Sequence, residues 1–301
     1  MIEILQPGLT TIQDLGRTGW ESSGMPRSGA FDPFLARVAN QLAGNSHDTA
    51  LLEFALAGPS LRFDKSVRIA LAGFTLKYIL NGIAVPEFRS FKVEAGEELR
   101  FKGMDGWFGY LAVSGGIQIQ KILGSASTYA AAGIFGRLKS GDRLQCGEMT
   151  ERSFAINKDL LQLPKNNVAP ILEAAHSHLF NEHSKVLISS EEYKLTLQSD
   201  RMGARLEGTA IEVPEIKRSV PTLPGVIQIA RSGQPIILGP EGPVTGGYPQ
   251  IGILSQASWT TLASIQPGKT IRFQWLNLER AKELQNQRNQ LFSNTALWEP
   301  L

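Results

Sequence analysis

The stretch Gln13-Asp14-Leu15-Gly16-Arg17-Thr18-Gly19-Trp20, continued by Gly24-Met25-Pro26-Arg27-Ser28-Gly29-Ala30-Phe31-Asp32-Pro33, is a glycine-rich loop between a strand-like run and a helix start. Glycine permits positive φ and lets a backbone approach a bound group closely. A long loop without regular structure is uncommon in a compact domain unless it serves a function. The loop is therefore the first candidate site. The alternative is a surface crossing whose charges are only solvated.

The chain on either side of this loop is rich in strand signals. Short apolar or alternating runs, separated by Gly, Pro and Asp, are typical of barrels and sandwiches. Asn81-Gly82 between two such runs predicts a type I′ hairpin, because that turn needs positive φ at both positions. One early helix is predicted, with Asp32 as its cap, Pro33 in its first turn and Gly44 after its end. We therefore expect a mainly β protein with a few helices.

A weak internal repeat predicts two related β-domains. Val93-Glu-Ala-Gly96-Glu-Glu-Leu-Arg-Phe101 resembles Ile265-Gln-Pro-Gly268-Lys-Thr-Ile-Arg-Phe273, and Gln13-Asp14-Leu-Gly16-Arg17 has an echo at Gln198–Gly203. Chance similarity is the alternative, because turns reuse the same residues. The predicted boundaries are 1–150 for the first β-domain, 151–185 for a connector with a helix over 171–180, and 186–301 for the second β-domain. The second domain includes a strand at 186–188 and a terminal helix over 278–292.

Composition limits the function classes. The 301 residues are 42% hydrophobic and 19% charged with a formal net charge of +2, so a globular protein without a nucleic-acid footprint is expected. A single cysteine, Cys146, fits a reducing compartment. The N-terminus lacks the features of a signal peptide, and no run is long enough to span a bilayer. A cytoplasmic protein with no membrane partner is predicted.

The echo of the first loop carries a second candidate site. Ser199, Asp200, Arg201 and Arg205 follow a predicted strand. The planar fork of an arginine suits a carboxylate or a carboxyphosphate-like anion, and an adjacent aspartate can hold that fork. The alternative is an internal Asp–Arg pair that only fixes the turn.

A third candidate lies in a run of glycines and prolines. In Thr245-Gly246-Gly247-Tyr248-Pro249, successive backbone N–H groups can form an anion nest, with Tyr248 as a hydroxyl donor. No Gly-Lys-Ser/Thr follows, so it is not a nucleotide P-loop. The alternative is a proline-rich turn between strands.

Metal and thiol chemistry are not expected. His176, His178 and His183 lie in a polar segment without metal-ligand spacing, and paired cysteines are absent. Cys146 has no evident histidine partner, so a thiolate nucleophile is not predicted either.

The motifs taken together resemble the biotin-dependent carboxyltransferase family. The resemblance covers nearly the whole chain. It rests on the opening loop, on Leu111-Ala-Val-Ser-Gly-Gly-Ile117, on Leu123-Gly-Ser-x-Ser-Thr128, on Ser199-Asp-Arg-Met-Gly-x-Arg-Leu-x-Gly208 and on Thr245-Gly-Gly-Tyr-Pro249. It implies two tandem cyclophilin-like β-barrels, in agreement with the repeat.

The resemblance also implies a function. It points to one subunit of an ATP-dependent 5-oxoprolinase, inactive alone, whose companions are a smaller, partly cyclophilin-like subunit and a third, amidohydrolase-like subunit. The complex would use ATP, while biotin attachment and a metal are not expected in this chain, and homo-oligomerisation stays open. Two alternatives remain: a component of an allophanate hydrolase or urea carboxylase, and a regulator that binds a histidine-kinase inhibitor.

The site that the resemblance implies is a cleft completed by the smaller partner. The predicted catalytic residues are Asp14, Arg17, Asp200 and Arg201. The predicted substrate-binding residues are Gln13, Ser199, Arg205, Gly246, Gly247 and Tyr248.

Overall fold

A computed structural model describes residues 1–301, and its chain divides into two compact units that are not contiguous in sequence. The first unit comprises Met1–Arg17, Ser28–Leu163 and Leu291–Leu301, and the second comprises Thr18–Arg27 and Pro164–Gln290. Most of the opening loop, residues 18–27, is thus grouped with the second unit. The boundaries predicted for two related domains stay a prediction.

The first unit is built from strands and one complete helix. A seven-stranded sheet has the order β11-β12-β1-β4-β9-β6-β7, a five-stranded sheet has the order β2-β3-β10-β5-β8, and β13 pairs with β23. The elements are β1 Ile2–Gln6, β2 Thr10–Gln13, α1 Pro33–Leu42, β3 Leu51–Ala55, β4 Ser60–Phe63, β5 Val67–Ala72, β6 Lys77–Leu80, β7 Ile83–Ala84, β8 Ser90–Val93, β9 Glu98–Gly103, β10 Phe108–Val113, β11 Ile117–Gln118, β12 Arg143–Cys146, β13 Phe154–Ala155 and β23 Glu299–Pro300.

The second unit is a closed barrel of seven strands. Its order is β14-β21-β18-β19-β16-β15-β22, and a separate ribbon pairs β17 with β20. The elements are β14 Val168–Glu173, α2 Glu182–Ser190, β15 Glu192–Leu195, β16 Gly203–Glu207, β17 Val220–Pro221, β18 Val226–Ile229, β19 Pro235–Leu238, β20 Thr245–Gly246, β21 Gln250–Leu254, α3 Ser258–Ser264, β22 Thr270–Trp275 and α4 Leu278–Ser293. The predicted mainly β fold with a few helices is confirmed. No helix has the length and apolar character needed to cross a membrane.

Burial explains why these strands associate. In the first unit, buried side chains from both large sheets, such as Ile4, Leu61, Ile12 and Leu111, belong to one apolar cluster. Removing that apolar surface from water is the main favourable contribution to folding.

Local signals place several elements where the sequence predicts them. Asp32 accepts a hydrogen bond from the Phe34 amide at 3.0 Å and caps α1, with Pro33 in its first turn. Asn81 and Gly82 have φ of 49° and 85° between β6 and β7, as a type I′ turn requires. The terminal helix is also confirmed, as α4.

Two local predictions around the connector are wrong. The helix expected over 171–180 does not form: residues 171–173 end β14, and only a single 3-10 turn follows at Ser177–Leu179. The strand expected at 186–188 lies inside α2. In β14, Ala169 and Ile171 are buried while Val168, Pro170 and Leu172 are less so, which is the period of a strand. The helix starts later, where the Asn181 side chain accepts a hydrogen bond from the Ser184 amide at 2.8 Å.

The repeated glycine turns have the same hydrogen-bond pattern in the two units. In the first, Gly96 N–H donates to the Phe63 carbonyl, and Phe63 N–H donates to the Glu97 carbonyl. In the second, Gly268 N–H donates to the Leu195 carbonyl, and Leu195 N–H donates to the Lys269 carbonyl. Both glycines have positive φ, of 87° and 97°. This correspondence supports a common origin of the two β-structures.

Candidate functional site

Asp14 is the centre of a buried hydrogen-bond network in the first unit. Its Oδ1 accepts from the Gly16 amide at 2.8 Å and from the Ser125 and Ser127 hydroxyls at 2.6 Å each. Its Oδ2 accepts from the Ala126 amide at 2.6 Å. The residue is only 6% exposed. A buried carboxylate needs such donors to offset its desolvation, so this geometry makes Asp14 the group that joins the opening loop to residues 125–127.

The other predicted residues of this loop are also buried. Arg17 is 1% exposed, and its Nη2 donates to the Ser127 carbonyl. Gln13 is buried on β2, where its Nε2 donates to the Thr11 hydroxyl at 3.1 Å. The structure therefore brings Gln13, Asp14 and Arg17 together in one packed region of the first unit. Their predicted contacts with substrate stay a prediction.

The end of the opening loop is fixed by its backbone conformation. Ser28 is buried at φ of 53°, which an L-residue rarely adopts. Gly29 follows at φ of 85°, and a Cβ there would lie 2.7 Å from the Gly16 amide nitrogen. The Ala30 amide then donates to the Asp14 carbonyl at 2.8 Å. Glycine at position 29 is what allows the loop to close on itself.

A second buried polar cluster holds the chain after the loop. Glu53 and Tyr110 are direct partners on β3 and β10. The Phe31 amide donates to Glu53 Oε2 at 2.6 Å, and the Asp32 amide donates to the Tyr110 hydroxyl oxygen at 2.7 Å. Burial raises the pKa of Tyr110 well above its ordinary value, and the neighbouring carboxylates of Glu53 and Asp32 raise that pKa further. Tyr110 therefore stays protonated and retains its hydroxyl hydrogen for bonding.

Sequence reasoning missed the roles of Ser125, Ser127, Glu53 and Tyr110. A Ser-x-Ser spacing in an extended segment points both hydroxyls to the same side, which is the arrangement around Asp14. That signal was available in Ser125-Ala126-Ser127 but identifies no partner by itself. Glu53 interrupts an apolar run on β3, and a charged residue in such a run signals a buried contact.

The second aspartate–arginine turn lies at the surface of the second unit. Asp200 Oδ1 accepts from the amides of Met202 at 2.8 Å and Gly203 at 3.1 Å. Arg201 Nε lies 2.5 Å from Glu241 Oε1, and both side chains are 14% exposed. The Glu241 amide donates to the Arg201 carbonyl at 3.0 Å. Arg201 is thus an anchored guanidinium next to an exposed turn.

Ser199 and Arg205 flank the same turn. The Arg205 amide donates to the Ser199 hydroxyl oxygen at 3.0 Å, and the Arg205 side chain is exposed on β16. Ser199 therefore orders the backbone, while the Arg205 guanidinium faces solvent and is available to an anion.

Gly246, Gly247 and Tyr248 occupy a different part of the second unit. Gly246 lies in β20, where a Cβ would approach the buried Gln228 Nε2 to 2.5 Å. Gly247 and Tyr248 are exposed.

The strand pairing separates these residues from Arg201. The Gly239 amide, just after β19, donates to the Met202 carbonyl, while the Ile229 amide at the end of β18 donates to the Pro249 carbonyl. Because β18 and β19 are antiparallel, the two groups lie toward opposite ends of this strand pair. A single cleft formed by all the predicted residues stays a prediction.

The side chains that could ligate a metal are dispersed over the chain. No group of three or more His, Cys, Asp or Glu side chains is arranged to hold a metal ion. Burial raises the pKa of the Cys146 thiol to about 11, so the thiol is protonated near neutral pH.

Comparisons with known proteins agree with the sequence motifs. The family model for the carboxyltransferase domain, subdomains A and B, matches residues 23–275. A 5-oxoprolinase subunit from Escherichia coli is 34% identical over 98% of this chain and 98% of its own length. Urea amidolyase of Saccharomyces cerevisiae is 30% identical over 94% of this chain. The aligned region is 17% of the length of that protein.

A solved structure shows the same fold. The crystal structure of the Kluyveromyces lactis urea amidolyase superposes with a TM-score of 0.89 at 28% identity. The match covers 97% of this chain and 20% of that one, so this chain spans about one fifth of the larger enzyme.

Proposed function

We propose, from the premise that this chain belongs to the family of carboxyltransferase domains of subdomains A and B, that it is one subunit of an ATP-dependent 5-oxoprolinase. In this proposal the complex opens the lactam ring of 5-oxoproline with water and ATP to give glutamate. The chain acts with a smaller cyclophilin-like subunit and a third, amidohydrolase-like subunit, and is inactive alone. The observation that carries the proposal is the end-to-end match with the Escherichia coli 5-oxoprolinase subunit, at 34% identity over 98% of both chains.

The chemistry of the second turn supports an anionic substrate or intermediate. 5-Oxoproline carries a carboxylate, and activation of its ring carbonyl by ATP creates further negative charge. Arg201 lies in the turn before β16 and is held by Glu241, and Arg205 is exposed within β16. Each offers one guanidinium group. Donors fixed before the reaction stabilise developing charge without reorganisation. Arg201 and Arg205 are therefore the residues proposed to bind and polarise the anion.

The first loop has a different role in this proposal. The Asp14 carboxylate accepts four hydrogen bonds and Arg17 is almost fully buried. Both residues are proposed to act by holding the opening loop in place, so their substitution affects turnover through loop structure.

A urea-type carboxyltransferase component is the second candidate. It is favoured by the TM-score of 0.89 with urea amidolyase and by 30% identity with the yeast enzyme. In that case the reaction would use urea or allophanate as the nitrogen substrate. A non-catalytic regulator that binds a histidine-kinase inhibitor remains the third alternative, and it predicts no turnover with any of these substrates.

Reconstitution tests the three candidates. The purified chain is mixed with its two companion subunits, and ATP hydrolysis is measured with 5-oxoproline, urea or allophanate. We expect hydrolysis that depends on 5-oxoproline and on this chain. Arg201→Ala and Arg205→Ala should each lower it by about tenfold or more, whereas Arg231→Ala, at an exposed arginine in another loop, should leave it within about twofold. Turnover with urea or allophanate but not with 5-oxoproline would replace the proposal by the second candidate, and no turnover with any of the three substrates would replace it by the third.

A further inference from the structure

An apolar groove lies on the outside of the barrel in the second unit. Its volume is ≈ 740 Å³. Leu172 of β14 and Ile253 of β21 are direct cross-strand partners in its lining, and Trp275 of β22 lies beside them. The indole N–H of Trp275 donates to the Lys185 carbonyl at 2.9 Å, which fixes the ring against α2. The floor of the groove is thus an apolar face of the barrel, and the remaining lining includes the polar residues Glu173, Glu182, Lys185, Ser189 and Asn277.

Exposed apolar side chains extend this surface on both sides. Val186 on α2 is 60% exposed, and Leu278 at the start of α4 is 53% exposed, and both line the groove. Single exposed apolar residues are ordinary, but a contiguous set with a concave floor marks an interaction site.

The closed barrel decides which kind of segment can fill the groove. β14, β21 and β22 are each paired on both sides, so the lining is a sheet face without a free edge. A partner strand would find no backbone groups to pair with, and its own N–H and C=O groups would lose water. A helix satisfies its backbone bonds internally and needs only an apolar face, so a helix fits this groove.

The charges at the rim specify the partner further. Glu173 and Glu182 have side chains 67% and 89% exposed, while the Lys185 ammonium lies between them, 3.4 Å and 3.7 Å from their carboxylates. Two carboxylates and one ammonium leave the rim with a formal charge of −1. A partner with lysine or arginine beside its apolar stripe is complementary to this rim.

We propose that the groove lined by Leu172, Ile253, Trp275, Val186 and Leu278 binds an amphipathic helix of the smaller companion subunit. The helix places apolar residues at i, i+3 or i+4, and i+7 in the groove and a basic residue against Glu173 and Glu182. This inference rests on the proposed function, because it names the docking surface for a subunit of that complex.

Binding of the purified smaller subunit tests the inference. Its Kd is measured by calorimetry for the wild-type chain and for Val186→Asp and Leu278→Asp, each of which places a charge in the groove. We expect both variants to raise Kd about tenfold or more. Ile83→Asp changes an exposed apolar residue of the first unit and should stay within about twofold of wild type. Thermal unfolding of each variant verifies that it is folded, which is expected because both groove positions are largely exposed.

The rim is tested by association rate. Glu173→Lys with Glu182→Lys reverses the local charge, so the association rate should fall and its decrease with added salt should disappear. If Val186→Asp and Leu278→Asp both bind the smaller subunit with the wild-type Kd, the inference is overturned.

Turnover distinguishes this result from the proposed function. If the groove variants bind normally while 5-oxoproline-dependent ATP hydrolysis is present, the docking site is wrong and the function stands. If the variants lose binding but the wild-type complex does not hydrolyse ATP with 5-oxoproline, the docking site stands and the function is wrong. A wild-type chain that does not bind the smaller subunit refutes both.

Discussion

The two aspartate–arginine turns have similar sequences and the same local bond. Asp14 accepts from the amide of Gly16, and Asp200 accepts from the amide of Met202, each two residues later and at 2.8 Å. This side-chain-to-backbone bond is the usual way in which aspartate nucleates a turn. The repeat in sequence therefore encodes a repeat in local structure.

Their surroundings are different. Asp14 is buried and has three further donors, while Asp200 lies near the surface and its carboxylate serves its own turn. Arg17 is buried against the Ser127 carbonyl, whereas Arg201 pairs with Glu241 and is partly exposed. One turn thus contributes a structural anchor, and the other presents arginine side chains. The comparison favours the second turn as the place where an anion is bound.

Removal of the two aspartates gives the largest expected contrast. Asp14→Ala leaves two buried hydroxyls and two amides without their acceptor, so the free energy of unfolding should fall by about 3–5 kcal/mol. Asp200→Ala should cost about 1 kcal/mol or less, because water replaces the lost acceptor. Urea unfolding of both variants measures the difference.

Asp14→Asn is the matched control for shape. It retains one acceptor oxygen and should lie between wild type and Asp14→Ala. If Asp14→Ala and Asp200→Ala lower the free energy of unfolding equally, burial of the hydrogen-bond network around Asp14 adds no stability.

The sequence predicts the parts of this comparison that depend on neighbours in the chain. The glycine-rich loop around Asp14, the cap at Asp32, the hairpin at Asn81-Gly82 and the helix from Leu278 all follow from local rules. The alternative of solvated charges around Asp14 could not be rejected from sequence, because its partners Ser125 and Ser127 lie more than a hundred residues away.

Long-range pairing also explains the two local errors. Val186-Leu187-Ile188 has the composition of a strand, but α2 begins at the Asn181 cap and packs on β22. Residues 168–173 join the barrel because β22 and β21 lie on either side of them. Neither packing partner is visible in the local sequence, so tertiary structure overrides the propensity there.

Two glycines of the opening loop sharpen the contrast between packed and open turns. Gly29 and Gly19 have φ of 85° and 87°, so alanine meets similar backbone strain at both. A Cβ at position 29 would overlap the Gly16 backbone at 2.7 Å, whereas position 19 faces open space. Gly29→Ala should therefore lower the free energy of unfolding by about 2–4 kcal/mol and Gly19→Ala by about 1 kcal/mol. Chemical denaturation of the two variants provides the measurement. If both lose similar amounts of unfolding free energy, the loop at residue 29 can move to accommodate the added Cβ.

Glu241 tests whether the second turn depends on its ion pair. Glu241→Gln keeps the shape of the side chain but removes the charge next to Arg201. Because both side chains are only 14% exposed, water screens the lost attraction only in part, and the free energy of unfolding should fall by about 1–2 kcal/mol. The main effect of Glu241→Gln should be on 5-oxoproline-dependent ATP hydrolysis by the reconstituted complex, because Arg201 loses its fixed orientation. Glu207→Gln, at an exposed carboxylate on β16, is the control, and a turnover loss equal in both variants would contradict the orienting role.

The smallest expected effect concerns a half-buried histidine of the first unit. Asp14 tolerates burial because four donors surround it, whereas His47 lies near the positive charge of Arg37. Its Nε2 is 3.0 Å from Gln41 Oε1, and its ring meets Phe292 edge-on at 4.8 Å. Burial lowers the pKa of His47 below its ordinary value of 6.5, Arg37 lowers it further, and Asp48 partly opposes the change.

The sign of the pH effect follows from this lowered pKa. As the pH falls through about 6.5, the unfolded chain binds a proton at His47 before the folded protein does, so stability is lost below that pH and is complete above it. His47→Gln should therefore show a smaller loss of unfolding free energy between about pH 7 and pH 5 than wild type. If the unfolding free energy of His47→Gln depends on pH as that of wild type does, the histidine accepts its proton equally in both states, and burial in the first unit places no cost on this charge.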